Sequence, residues 1–219
     1  MCLLNYTCSA TMASQEDRNG MTVQLALQKP CASLLQEVLR QYIPEKDMHN
    51  VLNDPANKQF MERLLNKKQK SILYPQTGVF NGSYADFDVS LLYCLIRNLT
   101  SIHDHKTGWG NEPDITDNSI AANIERIRLL RNKYAHGGIS HLNDKELKRE
   151  RKNIISCIHG IEKKWLVNST KFEDAAEEIF DAAKKQENLG EDITKCQGIT
   201  LSYYIFLDDV SRKKYTIYY

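Results

Sequence analysis

Arg131 and His136, with Asn132 between them, are the residues in this sequence whose types and spacing could do chemistry. An arginine is always charged and forked, which suits a phosphate. A histidine titrates near neutral pH, which suits general acid–base work. Together they suit in-line attack of a ribose 2′-hydroxyl on the adjacent phosphodiester. His136 would take or give the proton, and Arg131 would stabilise the extra charge on the phosphoryl group. That step needs no metal and no cofactor, and the sequence offers no carboxylate cluster for one. His103, Asp104 and His105 lack a third and fourth ligand at helical spacing. Five residues along an α-helix rise about 7.5 Å and rotate about 140°, so Arg131 and His136 do not stack on one face. Asn132 and His136, four apart, do share a face, and Asn132 can orient the imidazole. A shared site then needs a long reach by Arg131 or a second copy of the helix from a partner chain. A plainer alternative stays open. A histidine in a last helical turn ahead of glycine often serves only the helix dipole, and Arg131 can be a structural charge paired with Asp or Glu of a neighbouring helix.

The element that must carry these residues is a helix spanning 117 to 138. Asp117 or Ser119 can cap its start, and Gly137 and Gly138 can end it. Ile120, Ile124, Ile127 and Tyr134 fall on one stripe, and Arg131 falls on the same stripe. A charge on an apolar stripe needs a partner or a ligand.

The helices around it follow from periodicity and punctuation. Residues 1 to 24 read as a mobile leader. A helix runs from Cys31 to Ile43 and ends at Pro44. A short helix follows with Asp47 as cap, and Asp54-Pro55 starts another. The run Lys67-Lys68-Gln69-Lys70 reads as a solvated helix end whose cations favour the C-terminal dipole. From Asp86 or Asp88 to Ile102 a helix is apolar on most of its circumference and is the expected central helix. A loop from about 104 to 116 holds Gly108-Trp109-Gly110 and Pro113. Trp109 is either a lid over the core, the preferred reading, or an exposed stacking platform. Asn143 to Glu146 resembles a capping box for a helix that reaches Trp165. Its first half carries Lys145, Lys148, Arg149, Arg151 and Lys152. These form either a solvated face balanced by Glu146 and Glu150 or a phosphate-facing patch beside Arg131 and His136. Thr170 to Glu173 resembles a better capping box, opening an acidic helix to about Asn188. Ile199 to Tyr219 admits a β-hairpin. The fold class is all-α: a domain over 25–168, then an additional helix and tail over 169–219.

Composition narrows the class of function. A net charge of +1 makes no overall demand for nucleic acid, membrane or an acidic partner, so any nucleic-acid contact must come from a local patch. No stretch approaches the roughly 20 apolar residues of a membrane span, and Met1 to Ala10 does not read as a signal peptide. A cytoplasmic, membrane-free protein is the expectation. The six cysteines are scattered, without CxxC spacing, and Cys94 and Cys157 read as buried thiols.

The ordered set of motifs resembles HEPN domains (higher eukaryotes and prokaryotes nucleotide-binding). Arg131-Asn132-Lys133-Tyr134-Ala135-His136 matches their R-x4-H motif, with Asn after the Arg. Phe87 to Leu92, Leu95 to Leu99, Gly108-Trp109-Gly110 with Pro113, and Ile124 to Arg128 are similar to the family of the DAZ-interacting zinc-finger RNA-binding ubiquitin ligase. The likeness covers roughly residues 25 to 168. It implies a helical bundle in which two long helices pack antiparallel, with the motif at the end of one. It also implies a homodimer through the 117–138 helix that juxtaposes two motifs in a cleft for RNA. In active relatives the Arg and His carry metal-independent endoribonuclease activity, which maps here to Arg131 and His136 with Asn132 in support. Lys133, Trp109, Lys145, Lys148 and Arg149 are then the RNA-binding candidates. Other relatives bind RNA or protein partners without cleavage, so an adaptor in intracellular defence, innate immunity or ubiquitin signalling is the alternative. Ligase activity does not carry over, because no RING-type Cys/His spacing is present, and the family pattern leaves 190–219 unexplained.

Overall fold

Local cap chemistry divides the chain into helices. The computed structural model describes residues 14–80, 82–135, 141–166 and 169–194, the stretch 186–194 by its backbone only. Among these residues every regular element is helical. The order is α1 (Gln15–Ala26), a π-helical turn (Leu27–Cys31), α2 (Ala32–Tyr42), α3 (Glu45–Asn53), α4 (Pro55–Leu64), α5 (Lys67–Leu73), a 3-10 turn (Tyr84–Asp86), α6 (Val89–Leu99), α7 (Ile120–Ala135), α8 (Asp144–Trp165) and α9 (Lys171–Thr194). The all-α expectation holds. The suggested C-terminal hairpin lies outside the described residues.

The expected leader of residues 1 to 24 is helical from Gln15 onward, and residues 1–13 lie outside the described residues. Ser14 and Asp17 form a capping box, and α1 begins at Gln15. Its residues Val23 and Ala26 are sealed into the core. The apolar pattern here is weak because Asn19, Gly20 and Thr22 are buried beside them, polar and small residues that periodicity does not count. Pro30 has no N–H for the Ala26 carbonyl, and the helix absorbs the defect as the π-helical turn before continuing into α2. Three further expectations change. Pro44, not Asp47, stands at the N-cap of α3. Lys67 to Lys70 open α5 behind the Asn66–Gln69 capping box instead of closing a helix. Ser119 caps α7 through the Ala122 N–H at 3.1 Å, while Asp117 accepts from Lys106 N and Ser119 N and ties the preceding loop.

α6 is the central helix, packed on α2 and α7; α7 packs on α8, and α1 and α9 close the bundle against α8. Two contacts give the direction of α7 against α8. Asn123 lies at Gly160, and Lys133 bonds Glu150 at 2.7 Å. Numbering rises along one helix as it falls along the other, so the two are antiparallel. One continuous core reaches from Val23 through α6 and α8 to Phe172 and Phe180 of α9, so α9 shares the core expected to end near 168.

The α8–α9 corner is held by Glu162, 1% exposed. Its two oxygens accept from Phe172 N and Glu173 N, each at 3.0 Å. The expected Thr170–Glu173 box is replaced, because a buried carboxylate from α8 occupies the free N–H groups of α9. Glu173 pairs instead with His159 at 2.9 Å. Glu162→Ala should therefore cost about 1–2 kcal/mol in chemical denaturation, with α9 the first element to lose amide protection. Stability unchanged within error would refute that role.

Gly160 is where α8 comes nearest to α7. A Cβ there would collide with the amide of Asn123, which is 3% exposed and held by Arg126. Gly160→Ala is expected to destabilise by about 1–3 kcal/mol, and to cost much less in an Asn123→Ala background. A denaturation cycle in which the two substitutions simply add would contradict this crossing.

Candidate functional site

The last turns of α7 are positioned from three sides. Gln24 of α1 donates to the Tyr134 carbonyl at 3.1 Å. Asn19, 1% exposed, donates to the Leu142 carbonyl at 2.9 Å and to Asp144 at 3.0 Å. Thus α1 grips both sides of residues 136–140, which lie outside the described residues and include His136.

Arg131 lies on the apolar stripe, as expected, and leaves it by pairing with α6. Its Nη2 reaches Asp88 Oδ2 at 3.1 Å. The other Asp88 oxygen caps α6 by accepting from Leu91 N at 2.8 Å. One carboxylate thus fixes both the start of the central helix and the motif arginine. The pair is not sealed: the Arg131 and Asp88 side chains are 29% and 58% exposed. The guanidinium keeps free donors facing out. Asn132, half-buried, is in contact with Arg131 through its Oδ1 at 3.4 Å.

Lys133 and Arg149 are not free cations. Both converge on Oε1 of Glu150, at 2.7 and 3.2 Å, and Asn153 donates to Oε2 at 3.1 Å. Glu150 is 2% exposed. Burial pushes its carboxyl up, but the bonds from Lys133 and Asn153 and the Lys133 charge outweigh this and hold it below the usual carboxylate range. Burial also pulls Lys133 down, and the Glu150 bond more than restores it, leaving the ammonium firmly charged. The cation lies 4.9 Å from the centre of the Tyr134 ring, whose hydroxyl is buried without a hydrogen bond and pushed up by burial. Lys145 and Lys148 are exposed, and with Lys152 they form a row at helical spacing on α8. Glu150, which the sequence presents as one more charge on a solvated face, is the buried hub that ties the motif end of α7 to α8, on the face of α8 opposite this basic row.

Trp109 is packed as the lid. It meets Tyr93 edge-on at 5.7 Å and His105 at 6.1 Å, and it is half-buried against the core. It is therefore not an open stacking platform for a base. The flanking glycines are needed by the backbone, with φ of 81° at Gly108 and 91° at Gly110. Under the loop sits Glu125, wholly buried. It accepts from the Tyr93 hydroxyl at 2.7 Å, from Gly110 N at 2.9 Å and from Arg128 Nε. His105 Nε2, also buried, lies 3.8 Å from it. Sequence reasoning missed this hub. The available signal was Glu125 beside the buried Ile124, three residues before Arg128. Among the described residues, no group of three or more His, Cys, Asp or Glu is placed to hold a metal ion.

The arrangement offers a partly exposed guanidinium with an amide beside it, and a row of solvated lysines on the outer face of α8. Both are groups that suit an anion. The chain's residues 45–188 match the family described as DZIP3/hRUL138-like HEPN. The match begins later than the likeness read from the motifs and extends into α9. No curated protein and no solved structure matches. No helix among the described residues is long and apolar enough to cross a membrane. With a family match over most of its length, and with the R-x4-H arginine at the end of one of two antiparallel helices, the chain belongs to the DZIP3/hRUL138-like HEPN family.

Proposed function

We propose that this HEPN domain binds RNA at the α7–α8 end and cleaves it without metal. In this reading Arg131 and His136 are the catalytic residues, Asn132 supports them, and a homodimer through α7 completes the site. The observation that carries it is the junction at Glu150. It ties the motif-bearing end of α7 to α8 through Lys133 and Arg149, beside an Arg131 whose side chain is 29% exposed. RNA phosphates meet the lysine row first, a salt-sensitive contact. Lys133 and Arg149 act through Glu150, which holds α8 against α7. Arg131 then binds the scissile phosphate. His136 accepts the 2′-hydroxyl proton as the 2′-oxygen attacks phosphorus, and a proton returns to the departing 5′-oxygen. The products are a 2′,3′-cyclic phosphate and a free 5′-hydroxyl.

Cleavage of single-stranded RNA in EDTA tests this. Wild type is expected to cut, and Arg131→Ala or His136→Ala to lose about 10²-fold or more. Equal cutting by all three proteins would remove the assignment. Sedimentation should show a dimer, and a wild-type monomer that cuts at full rate would remove the composite site.

One observation favours a second reading, a non-catalytic adaptor in intracellular defence or ubiquitin signalling. Asp88 already supplies Arg131 with the neighbouring-helix carboxylate that a structural charge requires. On that reading wild type is inactive, and Arg131→Ala and Asp88→Asn destabilise the fold non-additively, since each removes the same pair.

A further inference from the structure

Most arginines of the bundle are neutralised where they stand. Arg40 pairs with Glu37 and Glu45, Arg128 with Glu125, Arg131 with Asp88, Arg149 with Glu150, and Arg151 with Glu177 and Asp181. The α4–α5 corner differs. Between residues 58 and 70 the chain has five cations, Lys58, Arg63, Lys67, Lys68 and Lys70, against the single acid Glu62, in a protein of net charge +1. None of the five forms an ion pair among the described residues. Lys58, Arg63 and Lys70 line an open cleft of about 580 Å³ between α4 and α5, together with Gln59, Ser71, Tyr74 and the single carboxylate Glu62, so three cations face one anion there.

Two features argue that these charges serve contact with an anion. First, Lys67 and Lys68 occupy the opening turn of α5. Cations there oppose the helix dipole, so folding gains nothing from them. Local choices that work against the fold mark positions kept for another purpose. Second, the cleft's walls are fixed before any ligand arrives. Met61, Leu65 and Leu73 anchor the two helices in the core. The Tyr74 hydroxyl donates to the Leu52 carbonyl at 3.3 Å, and Asn57 donates to the Val51 carbonyl at 3.0 Å. The Lys58 ammonium stands 6.0 Å from the centre of the Tyr74 ring. The corner is thus a preset frame carrying unpaired positive charge.

We propose that the α4–α5 cleft is a second phosphate-binding site, sharing no residue with the α7–α8 end, that grips the backbone of single-stranded RNA. The identity of the strand rests on the RNA reading above. The site itself rests on the unpaired cations and the fixed cleft. An open, positively charged groove suits the backbone of a single strand, and Arg63 brings a fork that matches a phosphate.

The experiment is fluorescence anisotropy of a labelled oligouridylate over a range of salt, using the full chain. Wild type is compared with Lys58→Gln/Arg63→Gln/Lys70→Gln and with Lys145→Gln/Lys148→Gln/Lys152→Gln. The α4–α5 variant is expected to bind about tenfold more weakly at about 150 mM salt, and its log-affinity against log-salt slope should fall by about 2. Its melting temperature should stay close to that of wild type, because none of the three side chains forms an ion pair among the described residues, so weaker binding cannot be ascribed to unfolding. Polyglutamate at matched charge should not displace the RNA. Unchanged affinity and slope overturn the proposal. If the α8 variant alone weakens binding in that case, the RNA reading of the α7–α8 end survives. Absence of wild-type binding sinks both, and efficient displacement by polyglutamate would make the ligand an acidic protein and overturn the assignment to RNA.

Discussion

A buried carboxylate must be paired, and three such groups hold the junctions of this bundle. Glu125 joins α7 to α6 and to the glycine-flanked loop through Tyr93, Gly110 and Arg128. Glu150 joins α8 to the end of α7 through Lys133. Glu162 joins α8 to the start of α9 through two backbone N–H groups. Each is 2% exposed or less. Removing a partner from any of them would strand a charge away from water, which costs far more than the net worth of the contact. The apolar core sets the approximate packing of the helices. These carboxylates make the corners specific.

The motif end depends on this arrangement. Arg131 sits at the edge of the core because Asp88, already committed to capping α6, has one oxygen left for it. Lys133 is held on α8 by Glu150, and α1 fixes the backbone on both sides of residues 136–140. Electrostatically the molecule therefore has two kinds of cation. Those near the motif are mostly paired and act as positioned groups. Those on the α8 row and at the α4–α5 corner are solvated, and these dominate the field that an approaching polyanion meets.

Much of the fold was legible because capping is local. Asp54 before Pro55, Asp88 before the apolar helix, and Asn143 with Glu146 act where spacing places them. The burial of Trp109 follows from the size of an indole flanked by glycines. Other elements were not legible, each for a stated cause. The polar content of α1 disguised a buried helix, and nothing local announced that α1 passes Pro30 through a π-helical turn into α2. Lys67 to Lys70 resembled a helix end because the dipole favours cations there, yet they stand at a beginning.

Sequence by itself determined the all-α class, most helix starts and the R-x4-H spacing that makes Arg131, Asn132 and His136 candidates, because these depend on neighbours within a turn or two of the chain. Tertiary structure alone decided which charges are spent and which are free. Glu150 and Lys133 are seventeen residues apart, and Asp88 and Arg131 forty-three. No local pattern reports pairings at such separations. They arise only when packed helices bring the groups into a low-dielectric space where a charge must find its partner.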